Sequence, residues 1–262
     1  MKNQDHRLLI SGPCIIQSLE ESLIIATEVK RVAELYGFHP IFKASYDKAN
    51  RTSHRGFRGI SLSEWTRIIQ KIKEEINIDV ISDVHDVSMP GVISDKVDYL
   101  QIPAFLCRQT SLVEACAETN KPTLIKKGQF LSPESCRFIE EKFYMAGGRD
   151  LLIGERGTTF GYNDLVVDVT SISRLREACM KSGIIMDCTH SLQIPNTTEG
   201  RTKGRGEFIE TMVRYAAAVK ADGLFIEVHP NPKESPSDAD NILQLDKLGE
   251  IIRKARNIYE CE

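Results

Sequence analysis

The chain has no CxxC pair, no GxGxxG turn, no Walker GK[ST], no HExxH, no nucleophile elbow and no apolar run approaching membrane-spanning length. Each absence removes a class of function. Seven cysteines (14, 107, 116, 136, 179, 188 and 261), odd in number and without paired spacing, argue against a disulfide framework and for a reducing compartment. The N-terminal MKNQDHRLLISGPC carries no signal-type apolar segment, so the expectation is a cytoplasmic protein with no membrane partner. A net charge of −3 offers no global attraction to nucleic acid; anion binding must come from a local cluster of cations.

What is present is regular. Eight short β-rich runs recur: LLISG, PIFKAS, DVISDV, YLQIP, TLIKKG, LLIGERG, GIIMDCTH and GLFIEVHP. They are too short for helices and too continuous for half-exposed strands, so they read as buried strands of a parallel sheet. Helical patterns lie between them. Ile25, Val29, Val32 and Tyr36 share one face, with Gly37 as the stop. Phe208/Ile209, Met212/Val213 and Ala216/Ala217 recur along a helix expected to stop near Gly223, and Leu248, Ile251, Ile252 and Ala255 turn inward on the last helix. Residues 87–95 are a weaker helix, interrupted by Pro90 and Gly91. Eight βα units in 262 residues point to an α/β fold, a (β/α)8 TIM barrel forming a single domain over 1–262. An open doubly wound sheet is the runner-up, without the Gly-rich turn it would usually carry. Residues 194–206 read as a mobile, irregular loop.

In such a barrel the C-terminal strand ends converge on one mouth. Those ends are Cys14, Lys43 (with Lys48 and Arg51 just beyond), Asp83, Gln101, Lys126, Arg156, His190 and Glu227. Packing does not explain apolar strands that each end in a polar group. Lys43, Lys48, Arg51, Lys126 and Arg156 make the mouth locally positive, suited to a small, multiply anionic substrate; the plainer alternative is a ring of rim salt bridges. Cys14, His190, Glu227 and Asp238 can meet where the barrel closes, a mixed donor set for a divalent metal such as Zn, Fe or Mn. The alternatives are Cys14 as a small core residue, His190 as a general acid or base, and His229 or His85 as competing ligands. Cys107, Cys116, Cys136, Cys179 and Cys188 read as small apolar residues. Lys43 or Lys126 could also form a Schiff base.

The motifs SGPC, FKASYDKANRTS, SDVHD, LQIPAFLCRQT, IKKGQFLSP, ERGTTFGYNDLVVD, DCTHSLQIP and FIEVHPNP…SDAD stand in order, one per strand end. Together they resemble the 3-deoxy-D-manno-octulosonate 8-phosphate (KDO8P) synthase family, within the superfamily that condenses phosphoenolpyruvate (PEP) with phosphorylated sugars. The resemblance implies a tetrameric barrel that joins PEP to D-arabinose 5-phosphate and water, giving KDO8P and phosphate for lipopolysaccharide biosynthesis. It implies a PEP pocket of Lys43, Ser45, Lys48, Gln101, Pro103, Ala104, Lys126 and Arg156. Sugar phosphate falls to Asn50, Arg51, Thr52 and Gln193, with Phe105 and Arg108 reaching in from a neighbouring subunit. Lys48, Asp83, Lys126, Arg156 and His190 stand nearest the chemistry. Cysteine at position 14, with His190, Glu227 and Asp238, matches the metal-dependent branch of the family. The sugar loop KANRTSHRGFRG, the loop NTTEGRTKGRGEF and Asp164 depart from the usual pattern. These departures keep a DAHP (3-deoxy-arabino-heptulosonate 7-phosphate) synthase, or a paralogue using another phosphorylated aldose, as the alternative. A non-catalytic sugar-phosphate sensor is the alternative from another class.

Overall fold

The structure is a computed structural model describing residues 7–49, 54, 57–195, 202–237 and 239–261. In chain order the strands begin with β1 (Arg7–Gly12), β2 (Phe38–Lys43), β3 (Asp79–Asp83), β4 (Tyr99–Ile102), β5 (Thr123–Lys126) and β6 (Leu151–Glu155). A hairpin of β7 (Thr158–Phe160) and β8 (Asp164–Val166) follows, then β9 (Gly183–Asp187). A short pair comes next, β10 (Gln193–Ile194) and β11 (Lys203–Gly204), and then β12 (Gly223–His229) and β13 (Leu243–Gln244). The helices are α1 (Leu19–Leu35), α2 (Leu62–Ile76), α3 (Met89–Ile93), α4 (Thr110–Glu118), α5 (Arg137–Met145), α6 (Ser171–Ala178), α7 (Ile209–Ala218) and α8 (Leu248–Glu260).

Strands β1 to β6, β9 and β12 pair in parallel in that order, and β12 pairs back onto β1, closing the sheet. This is the expected (β/α)8 barrel, and closure rules out the open sheet. Local chemistry starts the helices where the pattern predicted. Ser18 and Ser61 accept hydrogen bonds from the backbone N–H of Glu21 and Glu64, each at 3.2 Å, capping α1 and α2. Asn77, left-handed at φ 52°, ends α2, and Gly37 at φ 72° ends the first helical segment. Helix α7 is shorter than expected: it ends at Ala218, because Lys220 turns left-handed (φ 56°) well before Gly223 opens β12. The weak segment 87–95 contracts to α3, with Pro90 in its first turn. The loop expected to be irregular over 194–206 has a paired base, Gln193 opposite Gly204 and Ile194 opposite Lys203; residues 196–201 lie outside the described residues. Among the described residues no helix is long and apolar enough to cross a membrane.

The barrel interior shows why the mouth is polar. Leu8, Ile10, Ile41, Ile81, Tyr99, Leu124, Leu152, Ile185 and Phe225 form a cluster of their own, apart from the larger core between sheet and helices. Side chains on a strand alternate faces, so the residue two further on shares that inward side. Those residues are Gly12, Lys43, Asp83, Gln101, Lys126, Gly154, Asp187 and Glu227. The upper layer is therefore six polar side chains and two glycines. The glycines make room for lysines. A Cβ on Gly12 would stand 2.2 Å from the Lys43 carbonyl oxygen, and one on Gly154 would stand 2.9 Å from Lys126 Cδ. Because the first clash is with backbone, Gly12→Ala should destabilise the fold by about 1–3 kcal/mol. In thermal unfolding this reads as a loss of about 2–4 °C per kcal/mol; an unchanged Tm would contradict the packing described.

Candidate active site

The polar layer is wired into two networks of buried hydrogen bonds. In the first, Asp83 is the hub. One oxygen accepts from Gln101 Nε2, and the other accepts from Ser45 Oγ and Lys48 Nζ, both at 3.0 Å. Lys48 also donates to Ser45 Oγ at 3.0 Å. Burial favours a neutral Asp83, but Lys48, Lys43 and His85 outweigh it and hold its pKa well below the usual carboxylate range. Burial likewise works against the Lys48 ammonium, yet Asp83, Cys14 and Glu227 together hold its pKa above that of an ordinary lysine. Gln101 Oε1 is buried with no partner and supplies an unused acceptor.

The second network crosses the closure of the barrel. Lys43 Nζ lies 3.0 Å from Glu227 Oε1 and donates to the Cys14 carbonyl at 2.5 Å. Lys43 and Glu227 are each only 1% exposed. His190 Nε2 lies 3.5 Å from the same Glu227 oxygen, and its Nδ1 lies 2.9 Å from Asp187 Oδ2. Lys126 Nζ takes that same Asp187 oxygen at 2.6 Å and stands 3.0 Å above the centre of the Phe225 ring. Burial is the strongest influence on Lys126 and lowers its pKa to about 8, against the pull of Asp187. Arg156 donates to the His190 carbonyl at 2.6 Å and to Gln193 Oε1 at 2.5 Å.

The structure thus brings together Cys14, Lys43, Ser45, Lys48, Asp83, Gln101, Lys126, Arg156, His190, Gln193 and Glu227, all drawn from the strand-end and motif reading. Lys43 and Lys126, the two candidate Schiff-base lysines, each pair with a buried carboxylate, Glu227 and Asp187. Pro103 and Ala104 open the 3-10 turn after β4, where Phe105 is 57% exposed and Arg108 also faces outward. Asn50, Arg51, Thr52 and Asp238 lie outside the described residues. His229 is engaged away from the Cys14–Glu227 group: its Nδ1 accepts from the Asn231 N–H at 3.0 Å, and its Nε2 faces Glu21 on α1 at 3.1 Å. His85 packs against Tyr46, with burial lowering its pKa. None of the seven cysteines is in a disulfide. Burial raises the thiols of Cys107, Cys116, Cys136, Cys179 and Cys188, those of Cys116 and Cys179 to about 12, in keeping with the small-apolar reading.

Sequence reasoning missed three groups. Asp187 was passed over for His190, although it ends an apolar run and shares the inward side with Ile185. Lys127 and Glu155 (3.4 Å apart) are fully buried on the opposite side of their strands. Lys127 donates to the Gly157 carbonyl and Thr158 Oγ1, fixing the β7–β8 hairpin. Arg205 makes a two-armed ion pair with Asp164 at 2.8 and 2.9 Å, tying the loop after β9 to that hairpin.

The donors available to a metal are a buried thiol, a carboxylate and an imidazole. Asp187 occupies the Nδ1 side of that imidazole, so Nε2 faces Glu227. This chemistry fits a borderline divalent ion. Among the described residues no three His, Cys, Asp or Glu side chains stand close enough to hold one, and the fourth expected ligand, Asp238, is outside them.

A closed (β/α)8 barrel whose mouth buries paired cations and carboxylates defines a class of enzyme-like barrels built for small anions. The chain belongs to the DAHP synthetase I family, whose model matches residues 1–260. It is 43% identical over 251 residues to the 2-dehydro-3-deoxyphosphooctonate aldolase of Fusobacterium nucleatum, covering 96% of this chain and 90% of that one. It is 41% identical over 253 residues to the protein of the same name from a Synechococcus strain, covering 97% and 88%. The relative of that name in Desulfotalea psychrophila is 41% identical over 247 residues, covering 94% and 88%.

The Lys43–Glu227 pair offers a direct check on the wiring. Glu227→Gln leaves a buried ammonium without its countercharge and should cost about 3–5 kcal/mol in denaturant unfolding. Combined with Lys43→Met, the loss should fall short of the sum by more than about 0.5 kcal/mol. Additive losses would mean that the two groups do not sense each other.

Proposed function

We propose that the chain condenses PEP with D-arabinose 5-phosphate and water to give KDO8P and inorganic phosphate, as a 3-deoxy-8-phosphooctulonate synthase. The observation that carries this reading is the convergence of Lys43, Lys48, Lys126 and Arg156 on one mouth, in a family whose relatives bear the corresponding name. Lys126 and Arg156 hold the PEP anion. C3 of PEP attacks the sugar aldehyde, C2 becomes electron-poor and accepts water, and the resulting tetrahedral centre expels phosphate by C–O cleavage. Lys126 and Arg156 stabilise the charge gathering on that leaving phosphate. Lys48, held protonated beside Asp83 and Ser45, donates to the new alkoxide. Gln101 and Asp83 orient the reacting oxygens. Holding two polyanions against each other requires this density of cations.

Asn50, Arg51, Thr52 and Gln193 take the sugar phosphate in this reading. Phe105 and Arg108, exposed after β4, complete that pocket in a neighbouring subunit of a homotetramer. Cys14, His190, Glu227 and Asp238 would hold a divalent ion such as Zn, Fe or Mn. When bound, such an ion supplies Lewis-acid polarisation of an oxygen in the mouth. Seven cysteines, none of them in a disulfide, support a cytoplasmic setting.

The test is phosphate release across a panel of aldose phosphates and divalent metals, on protein of measured metal content. Release is expected only with PEP and arabinose 5-phosphate together, and a chelator should abolish it. Equal or faster turnover with erythrose 4-phosphate would move the assignment to a DAHP synthase. Metal-independent turnover with Cys14 intact would remove the metal. Since Lys126 must carry its proton to hold PEP and its pKa lies at about 8, kcat/KM for PEP should be level below that pH. Above it, kcat/KM should fall about tenfold per unit; a profile level to pH 10 would count against Lys126.

A further inference from the structure

Asp187 carries more of the site's geometry than its place in the sequence suggests. Its carboxylate is 1% exposed and cannot swing, because Oδ1 accepts from the Thr189 and His190 backbone N–H groups and from Thr189 Oγ1, at 2.9 to 3.2 Å. Locked in this way, it offers Oδ2 to two functional side chains at once, Lys126 at 2.6 Å and His190 Nδ1 at 2.9 Å. Both of those side chains also rest on one ring. Lys126 Nζ stands 3.0 Å from the Phe225 centroid, and the His190 ring lies 5.6 Å from it, tilted by 50°. Lysine and imidazole are thus registered against the same floor and the same carboxylate.

We propose that Asp187 is the positioning residue of this mouth, one fixed carboxylate that holds the Lys126 ammonium for the anionic substrate and orients the His190 imidazole with Nε2 turned toward Glu227. The inference rests on the functional reading above and adds to it. PEP capture and metal capture, assigned to different residues, depend on a single side chain that touches neither ligand. With the carboxylate at Nδ1, the proton sits on that nitrogen and the lone pair is left on Nε2. Without it, the Lys126 ammonium beside Arg156 is left buried with no countercharge to hold it in place.

The test is Asp187→Asn, which keeps the shape and removes the charge. Affinity for PEP is measured by calorimetry on metal-free protein, and affinity for Zn2+ by competition with a chelating dye. PEP affinity should fall about tenfold, the scale of one lost charge-assisted hydrogen bond. Zn2+ affinity should fall about 10–100-fold. Nitrogen NMR of metal-free protein should show His190 losing its Nδ1–H tautomer, a change that loss of packing alone does not produce. If either affinity is retained, or PEP binds more tightly because a competing anion is gone, the joint positioning role is overturned. Should Asp187→Asn fail to fold, Asp187→Glu keeps the charge and misplaces it by one methylene. The same two losses are then expected, and retention of either overturns the proposal. Unaltered protein that binds neither PEP nor Zn2+ would sink the functional reading itself, and the role of Asp187 with it.

Discussion

The Lys43–Glu227 pair sets the terms for everything above the apolar floor of the barrel. An ammonium and a carboxylate at 3.0 Å, each 1% exposed, are tolerable only as a pair, since either alone would face a desolvation cost of several kcal/mol. The same condition recurs at Lys48 with Asp83 and at Lys126 with Asp187. Among the described residues, Lys43, Lys48, Lys126 and Arg156 are each matched in the mouth by an acceptor. The rim-salt-bridge reading and the anion-site reading therefore describe one arrangement. The carboxylates hold the lysines in place, and the lysines are desolvated before any ligand arrives. Such a site rewards a ligand with two anionic ends over a singly charged one.

The barrel itself was legible because its signal is periodic. Eight short apolar runs at regular spacing leave few alternatives, and six of the eight barrel strands fall within the runs read from the sequence, while β1 begins one residue and β2 two residues before theirs. The strand-end roster was legible for a related reason, since a polar residue closing an apolar run has no packing explanation. Asp187 escaped because two ionisable residues, Asp187 and His190, follow the same run and the more reactive one drew attention. Counting sides would have found it, for Asp187 lies two residues beyond the inward Ile185. Lys127 and Glu155 were illegible for a different reason. Their task is to anchor a hairpin from behind the sheet, and no local pattern marks a lysine that will be fully buried. The end of α7 was misplaced because Lys220 adopts a conformation more typical of glycine or asparagine.

Asp164 and Arg205 show how residues from separate segments of the mouth can act together. In the sequence they are isolated residues in two loops. In space they form one two-armed ion pair, joined by the Asn163 side chain donating to the Pro195 carbonyl at 3.2 Å. The Arg205 backbone N–H also bonds Asn241 Oδ1 at 3.0 Å, beside the loop that carries residue 238. Three loops of the mouth are thus tied at one point, although the ion pair itself is partly exposed and weak on its own.

The alternation of sides that makes the mouth also restricts how the sequence can change. On six of the barrel strands an inward residue of the packed floor and an inward polar side chain lie on the same side, separated by one outward residue. Removing a single residue from within β2 would turn Lys43 into the packed layer between sheet and helices, where Phe42 now sits, and point an apolar group at the mouth. Such a deletion would cost core and site together. Substitutions in the strands can be tried one at a time, but changes of length are confined to the loops. A lineage built on this barrel would therefore diversify in its choice of sugar while keeping its strands at constant length.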